Sequence, residues 1–247
     1  MLIILPPSET KTSGGSSGAL DLTGLSFPGL AAHRASLLQA VEELAANEEQ
    51  SMAALKLGPK QLFEVERNRT VSSSPTLPVL ERYTGVLFDP IKASELTTQE
   101  REFATRHVVV HSALFGLVGA ADLIPVYRLS HNSRVPGFTL GKYWSDALRS
   151  ALSARDDLIL DLRSQSYVAL GPAPVREGSY YLRVVTEGTD GRKRALNHFN
   201  KTAKGSLVRA LITSGANHAT VSELIDWAAG AGFRLSRGAP GELELLV

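Results

Sequence analysis

A chain of 247 residues with 43% hydrophobic and 21% charged content is long enough to bury a full core and is sized for one large domain. Its formal net charge of +1 excludes a polybasic nucleic-acid wrapper and an acidic solvating segment, so any basic surface must be local. With no cysteine, disulfides, thiolate catalysis and cysteine-ligated metal centres are excluded within the chain.

The first residues, "LIIL" (Leu2 to Leu5), are an apolar run closed by Pro6-Pro7 and predict a buried strand. Ser8, Glu9 and Lys11 follow at once in "PPSETK", and "TSGGSSG" (Thr12 to Gly18) predicts a flexible loop by composition. No basic segment leads into a long apolar one here, and nowhere does the chain approach the roughly 18 consecutive apolar residues of a membrane span. A soluble, cytoplasmic protein without a membrane partner is expected.

From Leu30 to about Ala46, apolar residues at Leu37, Leu38, Val41, Leu44 and Ala45 mark one face of a helix. The stretch "SMAALKLGPKQLFEVERNR" carries two short helical patterns that meet at Leu57-Gly58-Pro59, with Lys56 and Lys60 on either side. Residues 51–67 therefore read as a helix-hairpin-helix-like element, which would turn backbone N–H groups and flanking lysines toward a phosphate. An ordinary helical hairpin with a Gly stop and a Pro start is the equally weighted alternative. "RYTGVLFD" and the long "HVVVHSALFGLVGAADLIPVYRLS" predict strands, with a helix over "TTQEREFATRH" between them. His107 and His111 bracket "VVV"; on a strand they would stand roughly 13 Å apart, too far to share a metal. Further on, the patterns predict a helix around Gly141 to Leu152, strands at "LILDL" and "YYLRVV", and a basic helix from about Asn200 to Thr213. A helix near Ser222 to Ala229 and the runs "GFRLS" and "ELELLV" complete the chain. The fold class is α/β, or mixed α+β: residues 1–247 as a single domain, with a mixed sheet surrounded by helices.

Charge is segregated along the chain. Between Asp190 and Glu223 there is no acidic residue, yet Arg192, Lys193, Arg194, Lys201, Lys204 and Arg209 fall in that interval. A second acid-free stretch, Asp122 to Asp146, carries Arg128, Arg134 and Lys142. On the helix from Asn200, Lys201, Lys204 and Arg209 share one arc, while Ala203, Leu207, Ala210 and Leu211 share the other. The basic arc is expected to face a groove or solvent, and a solvated cationic face is the ordinary outcome for a basic helix; without acidic neighbours for i,i+4 pairing, however, a phosphate-bearing ligand is a reason to keep it. No metal motif, dinucleotide fingerprint or phosphate-binding loop is present, so no cofactor and no metal ligand is assigned.

Several separated segments together resemble the YaaA family of peroxide-stress proteins: "PPSETK" at Pro6 to Lys11, "YTG" at Tyr83 to Gly85, "SALFGLVGAADLIPVYRL" at Ser112 to Leu129, "GKYWSDAL" at Gly141 to Leu148 and "NKTAKGSLVRAL" at Asn200 to Leu211. The resemblance implies a single α/β domain with a helix-hairpin-helix-like element and a positively charged cleft. It also implies DNA binding and protection against hydrogen peroxide, partly through limiting free iron. Under it, Ser8, Lys11, Arg128, Lys201, Lys204 and Arg209 line the cleft for phosphate, with Lys56, Gly58 and Lys60 contributing at the hairpin. Such contacts position rather than specify, so DNA or a nucleotide would be held largely without regard to base sequence. The rival reading is an enzyme acting on a nucleotide, nucleobase or damaged DNA by lyase or glycosidic-bond chemistry. There Lys11 or Lys201 serves as the amine and Glu9 as general acid or base.

Overall fold

In a computed structural model the described residues are 1–188, 193–195 and 200–247. Arg192 of the basic segment and the side chain of Lys193 lie outside them. The elements in chain order are β1 (Leu2–Leu5), α1 (Ala31–Ala45), α2 (Glu48–Leu55), α3 (Phe63–Arg69), β2 (Leu77–Pro78), α4 (Val79–Arg82), α5 (Thr98–His107), β3 (Val108–Ser112), β4 (Gly116–Gly119) and β5 (Leu123–Ile124). Then come α6 (Leu140–Ser153), β6 (Ile159–Asp161), α7 (Gln165–Val168), β7 (Ser179–Glu187), β8 (Lys193–Ala195), α8 (Asn200–Ser214), α9 (Val221–Gly230), β9 (Arg234–Arg237) and β10 (Glu242–Leu246).

The main sheet is mixed, with strand order β4-β3-β1-β6-β7-β10-β9, and β8 pairs with the C-terminal part of β7. The central strands β3, β1, β6, β7 and β10 all run parallel, and β4 and β9 flank them antiparallel. A strand buried on both faces must be apolar at every position, which is why β1 shows no alternation. Leu2, Ile3, Ile4 and Leu5 are all buried, each worth roughly 1.5–3 kcal/mol relative to exposure.

Capping explains where the helices begin. Asn47 accepts a hydrogen bond from the Gln50 amide ahead of α2, Thr97 and Glu100 close a capping box on α5, and Thr220 accepts from the Glu223 amide on α9. Helices α5 and α8 pack on each other; α5 lies against β1 and β3, and α8 against β7. The docking of α8 is close: a Cβ placed on Gly205 would lie 2.2 Å from the Leu87 carbonyl oxygen.

Three expectations need correction. "RYTGVLFD" is not a strand: Gly85 takes a φ of +98°, the Asp89 carboxylate accepts from its amide at 2.7 Å, and the segment closes into a 3-10 turn at Asp89–Ile91. Tyr83 alone keeps an extended bridge, to Lys11. His107 ends helix α5 rather than opening a strand. Finally, Lys204 leaves the exposed arc of α8 and lies on its buried side with Leu207, Val208 and Leu211. At residues 48–69 the chain forms a helical hairpin in which Lys56, not a glycine, takes the left-handed conformation (φ 56°). Gln61 Oε1 accepts the Gly58 amide hydrogen at 3.0 Å, so that donor is already committed.

Because the Leu87 carbonyl cannot retreat from a backbone contact, Gly205→Ala is expected to destabilise by about 3 kcal/mol, a fall in melting temperature on the order of 10 °C. Gly141→Ala, at a helical site with open space around it, should be neutral or slightly stabilising in the same thermal melts.

Candidate functional site

The chain runs from β1 to β3 on one side and then returns past β1 to β6 on the other. Parallel sheets open a crevice at such a reversal, outside the carboxyl ends of the two strands that lead away. That crevice is present. Two cavities meet there, sharing Pro6 from the end of β1, Ser164 from the end of β6, and Lys201 from the first turn of α8.

The first cavity, about 350 Å³, is bounded by Tyr181, Lys201 and Lys204. Lys204 Nζ donates to the Leu162 carbonyl at 3.0 Å and stands 5.4 Å from the Tyr181 ring centroid. Burial lowers its ammonium to about 8, against the field of the Asp161 carboxylate, which favours the charged form. Lys201 is exposed, and no ion pair engages it among the described residues. Among the described residues the one other cation lining this cavity, Arg183, is paired with Glu242 at 3.2 Å.

The second cavity, about 380 Å³, is lined by Pro7, Ser8, Glu9, Arg128, His131 and Tyr167 among others. Arg128 is buried and its guanidinium holds the Glu9 carboxylate at 2.9 Å. The backbone at Arg128 is fixed by Asn68 on α3, which donates to the Arg128 carbonyl and accepts from its amide, both at 2.7 Å. His131 and Tyr167 stand edge to face with centroids 5.5 Å apart, and burial lowers the imidazole so that its neutral form is favoured.

Lys11 lies behind this wall. Its Nζ sits 4.4 Å from the Tyr127 ring centroid and 5.4 Å from that of Tyr83, and donates to the carbonyls of Ser8 at 3.0 Å and Glu9 at 3.3 Å. Burial lowers the amine to about 7; the Glu64 carboxylate opposes the shift and the Arg128 cation adds to it. The tyrosines belong to a buried hydroxyl chain, Ser112 to Tyr127 at 2.7 Å and Tyr127 to Tyr83 at 2.6 Å. Ser112 Oγ already accepts the Leu114 and Phe115 amides, so its own proton goes to Tyr127.

Across residues 1–238 the sequence matches the family described as peroxide stress protein YaaA. The chain belongs to the YaaA family. It is 39% identical over 254 residues to a UPF0246 protein of Corynebacterium efficiens, covering all of both chains. A UPF0246 protein of Corynebacterium glutamicum is 37% identical over 252 residues, covering 100% of this chain and 99% of that one. One from Streptomyces coelicolor is 34% identical over 250 residues, covering 98% and 94%. Among the described residues no helix is long and apolar enough to cross a membrane, and no group of three His, Asp or Glu could hold a metal ion.

Of the sequence-assigned residues, the structure brings Ser8, Glu9, Arg128, Lys201 and Lys204 to the crevice, and places Lys11 just behind it. Arg209 lies elsewhere: its guanidinium donates to the carbonyls of Ile91 at 3.0 Å and Lys92 at 3.2 Å, holding the turn on which α8 rests. Lys56, Gly58 and Lys60 are not in the lining either, although the Lys56 charge reaches His131. The residues that sequence reasoning left out are Ser164, Tyr167 and His131, which join no recognisable motif, and Ser112 and Tyr83, whose segments carried the family resemblance without a stated role.

The depressed Lys11 amine has a direct signature. In ¹³Cε-lysine spectra one resonance, distinct from that of Lys204 near 8, should titrate near pH 7 and vanish in Lys11→Met; a Lys11 resonance that titrates near 10 would refute the placement. Below about 7 the ammonium is charged in both folded and unfolded chains, so its burial penalty is complete. As pH rises from about 7 toward the ordinary value of 10.5, the unfolded chain holds the extra proton and stability rises. The stability of the wild type relative to Lys11→Met should therefore increase across that interval in denaturant melts.

Proposed function

We propose that this YaaA-family chain binds a phosphate-bearing ligand, a nucleotide or the backbone of DNA, in the crevice outside β1 and β6. The observation that carries this reading is the state of the two α8 lysines. Lys204 is anchored by one hydrogen bond to a strand-end carbonyl, which leaves ammonium N–H groups toward the cavity, and Lys201 stands beside it without an ion-pair partner among the described residues. A cation held at that depth is a costly choice for a merely solvated surface, and it gains most when an anion shares the cavity. The Glu9–Arg128 pair at the other end argues against a long polyanionic track through both cavities, because a carboxylate repels phosphate.

A second reading is favoured by two observations: the Glu9 carboxylate lines the cavity, and Lys11 carries a near-neutral amine behind it. It makes the chain an enzyme on a nucleotide or nucleobase, with Glu9 moving a proton and the Lys11 amine, or that of Lys201, as nucleophile. Its reach is limited by the hydrogen bonds that turn Lys11 Nζ back onto the Ser8 and Glu9 carbonyls. Loss of turnover in Glu9→Gln with phosphate binding retained would select this reading over simple binding.

Binding of a labelled duplex, followed by anisotropy between about 50 and 200 mM salt, should weaken steeply. Lys201→Ala should weaken it equally on unrelated sequences and reduce the salt slope by about one. Unchanged affinity in that variant would overturn the crevice assignment.

A further inference from the structure

The two cavities differ in chemistry, and the difference defines a ligand. The end toward α8 is cationic, with Lys204 buried and Lys201 beside it. At the other end, Arg128 is neutralised by Glu9, and the Pro6–Pro7 rings and the His131–Tyr167 pair line the cavity together with the hydroxyl residues Thr10 and Ser130. A lining of rings and hydroxyl groups with one carboxylate suits a planar heterocycle rather than a second phosphate. Glu9 is 65% exposed at its side chain and engages Arg128 through Oε2, so the carboxylate retains accepting capacity toward the cavity. A carboxylate fixed by a guanidinium partner cannot donate; it selects a ligand edge that offers N–H groups, two of them if both oxygens are to be used. The cavities meet at Pro6, Ser164 and Lys201, and at about 350 and 380 Å³ each is large enough for one part of a small ligand.

We propose that the joined cavities form a bipartite site for a single nucleotide unit of the guanine type. Lys204 and Lys201 hold its one phosphate, and Glu9, fixed by Arg128, accepts the N–H donors of the base edge. This rests on the phosphate reading above and narrows it. A base with acceptor groups at that edge, or a second phosphate, meets a carboxylate and is disfavoured. The unit can be a free mononucleotide or a nucleotide residue within DNA; the recognition chemistry is the same.

The test is equilibrium titration of the whole protein with GMP, IMP, ribose 5-phosphate, guanosine and inorganic phosphate. GMP should bind at least about 10-fold tighter than IMP, which lacks the 2-amino group, and than ribose 5-phosphate, which lacks the base. Glu9→Gln should remove the preference for GMP over IMP and leave ribose 5-phosphate unchanged. Lys201→Ala should weaken every phosphate-bearing probe and spare guanosine; Lys204→Met, checked for folding by thermal melt, should do the same. If GMP displaces the labelled duplex, the free nucleotide and DNA share this site; if a G-containing single strand competes and GMP does not, the unit recognised is one within DNA. Equal affinity for GMP and ribose 5-phosphate, discrimination that survives Glu9→Gln, or no competition by either guanine probe would overturn the proposal. In the first two cases the phosphate reading would stand, whereas insensitivity of every phosphate probe to Lys201→Ala would remove both.

Discussion

The crevice depends on one buried guanidinium. Arg163, just past the end of β6, is fully buried and donates through Nε and Nη2 to both oxygens of Asp161, at 2.9 and 2.6 Å. Its Nη1 reaches His111 Nδ1 at 2.9 Å and the Gly171 carbonyl at 2.8 Å. One planar fork thus ties β6 to β3 and to the exit from α7. A lysine, with one charged nitrogen, could not make these bonds in those directions. Because Nδ1 accepts from Arg163, the His111 ring carries its hydrogen on Nε2, and burial together with the Arg163 charge keeps the imidazole neutral. Breaking a buried pair of this kind costs about 3–5 kcal/mol. The same knot sets the position of the Leu162 carbonyl that receives Lys204 and of Ser164 where the cavities meet.

Much of the architecture was legible because local pattern and final environment agree. The unbroken apolar run of β1, the helical pattern of "TTQEREFATRH" that becomes α5, and the periodicity of α1 each describe something the backbone does on its own. The turn at Tyr83 to Ile91 departs from the strand its pattern predicts because its apolar residues, Leu87 and Phe88, are core-facing without being extended, and Gly85 bends the chain. Lys204 was misplaced for a related reason: a helical wheel cannot know that a strand end offers an unpaired carbonyl beneath it.

The charge pattern shows how far linear distance misleads. Arg128 has no acidic neighbour in its stretch of sequence, yet its partner is Glu9, 119 residues away. Other cations serve the backbone. Arg34 donates to the carbonyls of Phe115, Ser26 and Leu117, and Arg209 to those of Ile91 and Lys92. Such guanidiniums act as cross-links between irregular segments whose carbonyls lack partners in the sheet. Among the described residues, the crevice cations that no ion pair engages are Lys201 and Lys204, both on α8. Membership in the YaaA family places this chain among peroxide-stress proteins; the crevice is where the chemistry of that role can be sought.

Arg82 carries the same logic to the surface. Its buried guanidinium donates to Thr12, Gly14, Pro75 and Ile124 carbonyls, so the glycine- and serine-rich tract after Lys11 is moored from inside the core. Composition alone describes that tract as slack. A lesion at Arg82 would therefore disturb the crevice as much as the fold, since the loop it releases is continuous with the wall formed by Ser8 and Glu9. In a genetic screen such a residue would be counted in the lining of a crevice it never reaches.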